Sequence, residues 1–235
     1  MSLPFSFLWP CTGLLEPQYL TAGVSPTNFL LNCAMHTGSN DSPSTVQPLR
    51  ILAFGDSLVA GFALSRKAGF TVQLEKALIA AGFTAEVINA GIPGDTSAGG
   101  RSRLGQALDL QPDLVLLEFG ANDNLLGVPP TELETNLEEI ILRLRESGIP
   151  VLLTGIKPLR NLGTDYQAEF SEVFSRLADK HQVPFYADFL DGVAGRPELN
   201  KADGIHPNPK GVKEIVRRLS PLVIETLKGL AKARP

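Results

Sequence analysis

The 235-residue chain has only two cysteines, Cys11 and Cys33, and both lie within its first 49 residues. Everything beyond Leu49 is therefore barred from thiolate chemistry and from thiolate-ligated metal. Spacing alone does not say whether Cys11 and Cys33 pair. The same 49 residues contain no Lys or Arg and only two acids, Glu16 and Asp41. An apolar start without basic residues is not a conventional secretory signal, and no run approaches the about 18 to 20 apolar residues that span a bilayer. A P-loop and the G-x-G-x-x-G fingerprint are missing as well, which argues against a phosphate-cradling site. With a net charge of -4, the chain also lacks the basic excess of a general nucleic-acid binder. Neither compartment nor oligomeric state can be read: cytoplasm, periplasm and exterior all remain open.

At 43% hydrophobic and 20% charged residues, what is present suits a globular domain. The stretch "HTGSNDSPSTVQP" has linker composition. Residues 1–49 are accordingly expected to form a flexible extension or leader, and residues 50–235 one folded domain.

After Leu49, short apolar runs alternate with longer segments of helical period. The runs are "ILAFG", "AEVINA", "DLVLLEFG", "PVLLTGI" and "VPFYA". Between two of them, Leu133, Leu137, Ile140, Ile141 and Leu144 recur at the spacing of one helix face. Thr131 followed by Glu134 predicts a capping box there. Near-continuous apolar strands separated by helices predict a parallel sheet covered on both faces, a three-layer α/β/α domain. In such sheets, sites form in the loops that leave the carboxyl ends of the strands.

Those loops hold the chemistry-bearing residues. Ser57 follows the first strand, where exposed backbone N–H groups favour a negatively charged oxygen, although Ser is equally a preferred helix N-cap. Gly94 follows the second strand and can present a bare backbone N–H to a ligand, or simply make a turn. Asn122, after the third strand, offers an amide donor to an oxyanion, or an Asx-type turn. Asp203 and His206, in "KADGIHPN", stand three residues apart around Gly204, so a turn can join carboxylate and imidazole. Pro207 biases His206 away from the following helix. Of the other histidines, His36 lies in the leader, and His181 closes a helix, where the dipole accounts for it.

Taken together, "GDSL" at 55–58, Gly94, "GAND" at 120–123 and "DGIHP" at 203–207 resemble the four blocks of the GDSL or SGNH hydrolases, in the family's order. The likeness is strongest to the bacterial thioesterase I, lysophospholipase L1 and arylesterase group. It covers the chain from about Arg50 onward, and the conventional export signal common in that group is replaced here by the unusual leader. The α/β-hydrolase elbow G-x-S-x-G is absent, Val59 standing where its second Gly would be.

The resemblance implies a flavodoxin-like sheet of five parallel strands, a triad of Ser57, His206 and Asp203, and an oxyanion hole from the N–H groups of Ser57 and Gly94 and the side chain of Asn122. It implies acyl transfer through an acyl-serine ester, with no metal or organic cofactor. The implied substrates are small acyl or aryl esters, thioesters or lysophospholipids, with Leu125 and Leu126 lining the acyl site. A carbohydrate O-deacetylase with the same triad and a non-catalytic flavodoxin-like binding module are the alternatives.

Overall fold

In a computed structural model of the protein, residues 47–233 are described. The expected leader up to residue 46, with Cys11, Cys33 and His36, lies outside them. Five strands form one parallel sheet: β1 (Leu49–Gly55), β2 (Ala85–Gly91), β3 (Leu114–Glu118), β4 (Val151–Thr154) and β5 (Phe185–Tyr186). Their order is β2-β1-β3-β4-β5, the flavodoxin-like arrangement that the family resemblance implies.

Among the described residues, seven α-helices complete the alternation: α1 (Ser57–Ala60), α2 (Phe70–Ala80), α3 (Ser97–Leu108), α4 (Ala121–Leu126), α5 (Pro130–Glu146), α6 (Thr164–His181) and α7 (Pro209–Ala233). Helix α2 packs on α7, and α5 packs on both α3 and α6, which gives the two outer layers. The three inner strands are mostly apolar because both their faces are covered, the exceptions being Arg50 near the start of β1 and Glu118 and Thr154 at the ends of β3 and β4. Ile51, Leu52, Ala53 and Phe54 of β1 and Leu114 to Leu117 of β3 are at most 1% exposed. Edge strand β2 instead alternates, with Glu86 in water and Val87 inward.

The apolar stripe of α5 is buried as its spacing predicts, including Leu133, Leu137, Ile140, Ile141 and Leu144. Each such side chain contributes about 1.5–3 kcal/mol of burial. The capping box is not formed. Helix α5 starts two residues earlier than that box requires, at Pro130, because proline at the first helical position lacks only an N–H that would be unpaired anyway. Thr131 is thereby inside the helix, and Glu134 pairs with Arg176 of α6 through two bonds of 2.8 and 2.9 Å.

Strand order has a direct consequence for function. β1 and β3 lie at the centre of the sheet, with β2 beside β1, so the loops after all three leave the same edge side by side. Those loops carry Ser57, Asn122 and Gly94 respectively.

Candidate active site

Strand β1 runs buried to Gly55, and the chain then turns into α1 within two residues. Asp56 caps that helix, its Oδ1 accepting the Leu58 N–H at 2.9 Å. Ser57 is therefore the first helical residue rather than the cap, and its hydroxyl is free to point out of the sheet edge. Only glycine fits before it. A Cβ on Gly55 would stand 2.5 Å from the Glu118 carbonyl oxygen, 2.7 Å from Glu118 Oε2 and 2.7 Å from Val59 Cγ2. Backbone on one side and a fully packed core on the other leave nothing to yield. Gly55→Ala is expected to cost about 1–3 kcal/mol or more, read as a fall in the thermal unfolding midpoint.

Ser57 Oγ lies 2.9 Å from His206 Nε2 across 149 residues of chain. On the other side of the ring, His206 Nδ1 is 2.9 Å from Asp203 Oδ2. Asp203 Oδ1 accepts the N–H groups of Ile205 and His206, both at 2.9 Å. That turn is possible because Gly204 takes a left-handed conformation, φ 70°. It is held from outside by the Asn200–Pro207 bridge and by Asn208, whose amide bonds the carbonyls of Glu198 and Asn200. The His206 backbone N–H leads the groups that lower the Asp203 pKa to about 2, with the Ile205 N–H and the imidazole adding. Asp203 is thus a carboxylate at any pH the enzyme meets, and its charge fixes the proton of His206 on Nδ1. Nε2 then faces Ser57 as an acceptor.

The residues expected to bind an oxyanion gather beside this chain. Gly94 has φ 83°, and among the described residues its N–H meets no acceptor. The next residue, Asp95, accepts the Asn122 amide on its carbonyl at 2.8 Å. The second N–H of the same amide reaches Asp56 Oδ2 at 3.1 Å. Asn122 therefore ties the loop after β2 to the loop after β1. Its two neighbours extend the clamp. Asp123 accepts both the hydroxyl and the N–H of Ser97 at the start of α3, and Asn124 Oδ1 accepts the N–H groups of Leu159 and Arg160 from the loop after β4. Leu125 and Leu126 follow on α4, the first partly buried and the second 70% exposed.

Besides Asn124, four supporting residues escaped the sequence reading. Arg103 of α3 bonds Asp95 Oδ2 at 2.7 Å, the Ala90 carbonyl at 2.9 Å and the Gly55 carbonyl at 3.0 Å, with its guanidinium over the Phe54 ring. In sequence it looks like one more charge on a helix face. Phe62 is 46% exposed and its ring centroid lies 4.9 Å from that of His206. Asp56 and Glu118 are buried acids behind Ser57. The signal for Glu118 was present: a lone acid embedded in "VLLEFG".

A serine hydroxyl, an imidazole and a carboxylate joined at the carboxyl edge of a doubly wound sheet define a serine hydrolase of the SGNH type. The chain belongs to the GDSL-like Lipase/Acylhydrolase family, whose model matches residues 53–213. An arylesterase of Vibrio mimicus is 39% identical over 162 residues, 68% of this chain and 81% of that protein. Esterase TesA of Pseudomonas aeruginosa is 38% identical over 178 residues, 74% and 89% of the two chains. Among solved structures, the SGNH-hydrolase family esterase AlinE4 superposes with a TM-score of 0.66 at 41% identity, covering 82% of this chain and all of that one. The chain is an ester-hydrolysing serine hydrolase, not a binding module. No helix among the described residues is long and apolar enough to cross a membrane.

Proposed function

We propose that Ser57 is the nucleophile, His206 the general base and acid, and Asp203 the group that orients and charges the ring. The observation that carries this reading is the unbroken pair of 2.9 Å bonds from Ser57 through His206 to Asp203. His206 Nε2 takes the Ser57 proton as Oγ attacks the carbonyl carbon, and returns it to the departing alcohol or thiol. Water, deprotonated by the same nitrogen, then releases the acid from the acyl-serine. The tetrahedral oxygen is received by the N–H groups of Ser57 and Gly94 and by Asn122, whose longer bond, to Asp56, is the one exchanged for the substrate. Every step uses this chain's own groups, so neither metal nor organic cofactor is called for.

The substrates are small carboxylic esters and thioesters with an apolar acyl or aryl part. Leu126 stands four residues after Asn122 on α4, hence on the same helix face, and its exposure is that of a side chain waiting for a partner. Phe62 presents an apolar ring against the base. The arylesterase and esterase relatives agree with this choice, and lysophospholipids remain within the same chemistry.

A fluorophosphonate probe should label Ser57, and a chain-length series of p-nitrophenyl esters, with one thioester, one lysophospholipid and one acetylated sugar, should show turnover of the acyl and aryl members. Absence of labelling would remove Ser57 from its role. Preference for the acetylated sugar would replace the acyl-ester reading with carbohydrate deacetylation.

A further inference from the structure

Behind Ser57 lies a second pair of acids that acyl transfer does not itself use. Asp56 and Glu118 are 0% and 1% exposed. They stand at the carboxyl ends of neighbouring strands, Gly55 being in register with Glu118. Glu118 Oε2 is 3.4 Å from the Asp56 backbone N–H, and Oε1 has no hydrogen-bond partner among the described residues. A buried oxygen left so poorly paired is tolerated as part of a neutral acid far better than as part of an anion. Burial, reinforced by the nearby Asp56 charge, pushes the Glu118 pKa well above the usual carboxylate range, and burial also raises Asp56, to about 7. A neutral Glu118 carries a proton that needs an acceptor, and Asp56 is the acid beside it.

We propose that Glu118 is a positioning residue: its carboxylic acid donates to Asp56, and this added donor releases the Asn122 amide from Asp56 so that it turns to the substrate oxyanion. The inference rests on the oxyanion role of Asn122 given above. A buried Asp56 carboxylate with only the Leu58 N–H and the Asn122 amide as donors would keep that amide for itself. With a third donor in place, the 3.1 Å bond to Asn122 is exchanged at little cost, while the 2.8 Å bond to the Asp95 carbonyl keeps the amide hinged. The charged groups facing the pair are Asp95 from the loop after β2, Asp123 from α4, and Arg103 from α3, which reaches the Gly55 carbonyl. Strand β4 offers only Thr154, in register with Glu118. Acids outnumber the single cation, so the facing charges on balance oppose a negative charge on Glu118.

The test is steady-state kinetics on p-nitrophenyl butyrate for Glu118→Leu, Glu118→Gln, Asn122→Ala and the Glu118→Leu/Asn122→Ala double variant. Glu118→Leu is expected to lower kcat about 10- to 100-fold with KM within about two-fold, the signature of a group that acts in the transition state. Glu118→Gln, whose amide still donates, should recover most of that loss. The double variant should be no slower than Asn122→Ala. With pH, wild-type kcat should fall on the alkaline side as Glu118 loses its proton, and Glu118→Gln should lack that fall.

Wild-type kcat in Glu118→Leu, or losses that multiply in the double variant, would overturn the proposal. Should Glu118→Leu fail to fold by circular dichroism, an alkaline fall unchanged in Glu118→Gln would overturn it equally. Full activity in Asn122→Ala would instead bring down the oxyanion reading beneath it, and the two failures are thereby told apart.

Discussion

Replacing Ser57 with alanine is expected to lower kcat/KM for p-nitrophenyl butyrate by about 10⁴- to 10⁶-fold while the thermal unfolding transition stays in place. The size follows from what is lost. Without Oγ no acyl-serine forms, and only the oxyanion donors remain to assist attack by water. The fold should survive because Ser57 Oγ bonds only His206 Nε2, and the α1 cap is made by the Asp56 side chain instead. His206→Ala should cause a loss of similar order, and the Ser57→Ala/His206→Ala double variant should be no worse than either alone, since the two side chains act as one unit. Multiplying losses would show that they do not.

Asp203→Asn should reduce kcat by about 10³- to 10⁴-fold without unfolding the turn. An asparagine carbonyl oxygen still accepts the N–H groups of Ile205 and His206, so the loop keeps its shape. Its amide, however, presents an N–H to His206 Nδ1. That nitrogen must then accept, and the ring proton moves to Nε2, where it confronts Ser57 and blocks proton removal. Because the Asp203 pKa is lowered from 3.8 to about 2, the charge is present above the ordinary value and is lost only as pH falls through about 2. The deficit of the variant should therefore be constant across the neutral range. With its side chain 40% exposed, Asp203 is screened by water, and its replacement should move the unfolding midpoint little. A variant whose activity returned at neutral pH would remove Asp203 from the relay.

The parts of the site legible in sequence were those whose chemistry is rare. His206 is one of three histidines, and Ser57, Gly94 and Asn122 each sit immediately beyond an apolar run, at the end of the sheet where ligands bind. The parallel, doubly covered sheet followed from the alternation of buried runs and amphipathic helices, whereas its flavodoxin-like arrangement was implied only by the family resemblance. The framework around the site was not legible, because its members look ordinary one at a time. Arg103 reads as a solvated charge until three acceptors from two strand ends and a loop are seen to converge on it. Asn124 reads as a helix residue until it holds the loop after β4. Asp56 reads as a motif residue without a task of its own, and Ser57 as a candidate cap, since spacing alone cannot say which of two adjacent residues bonds the first turn. The expected capping box at Thr131 and Glu134 failed for a related reason: local spacing cannot see that Pro130 already starts the helix, or that Arg176 competes for Glu134.

The turn carrying Asp203 and His206 comes after the last strand of the sheet and immediately before α7, whereas Ser57 follows the first strand. A ribosome therefore finishes the half that carries Ser57 long before it reaches the turn that carries Asp203 and His206. On the mechanism proposed above, any product of premature termination that stops short of residue 203 would hold the Ser57 hydroxyl without its imidazole and carboxylate partners, and should turn over no ester.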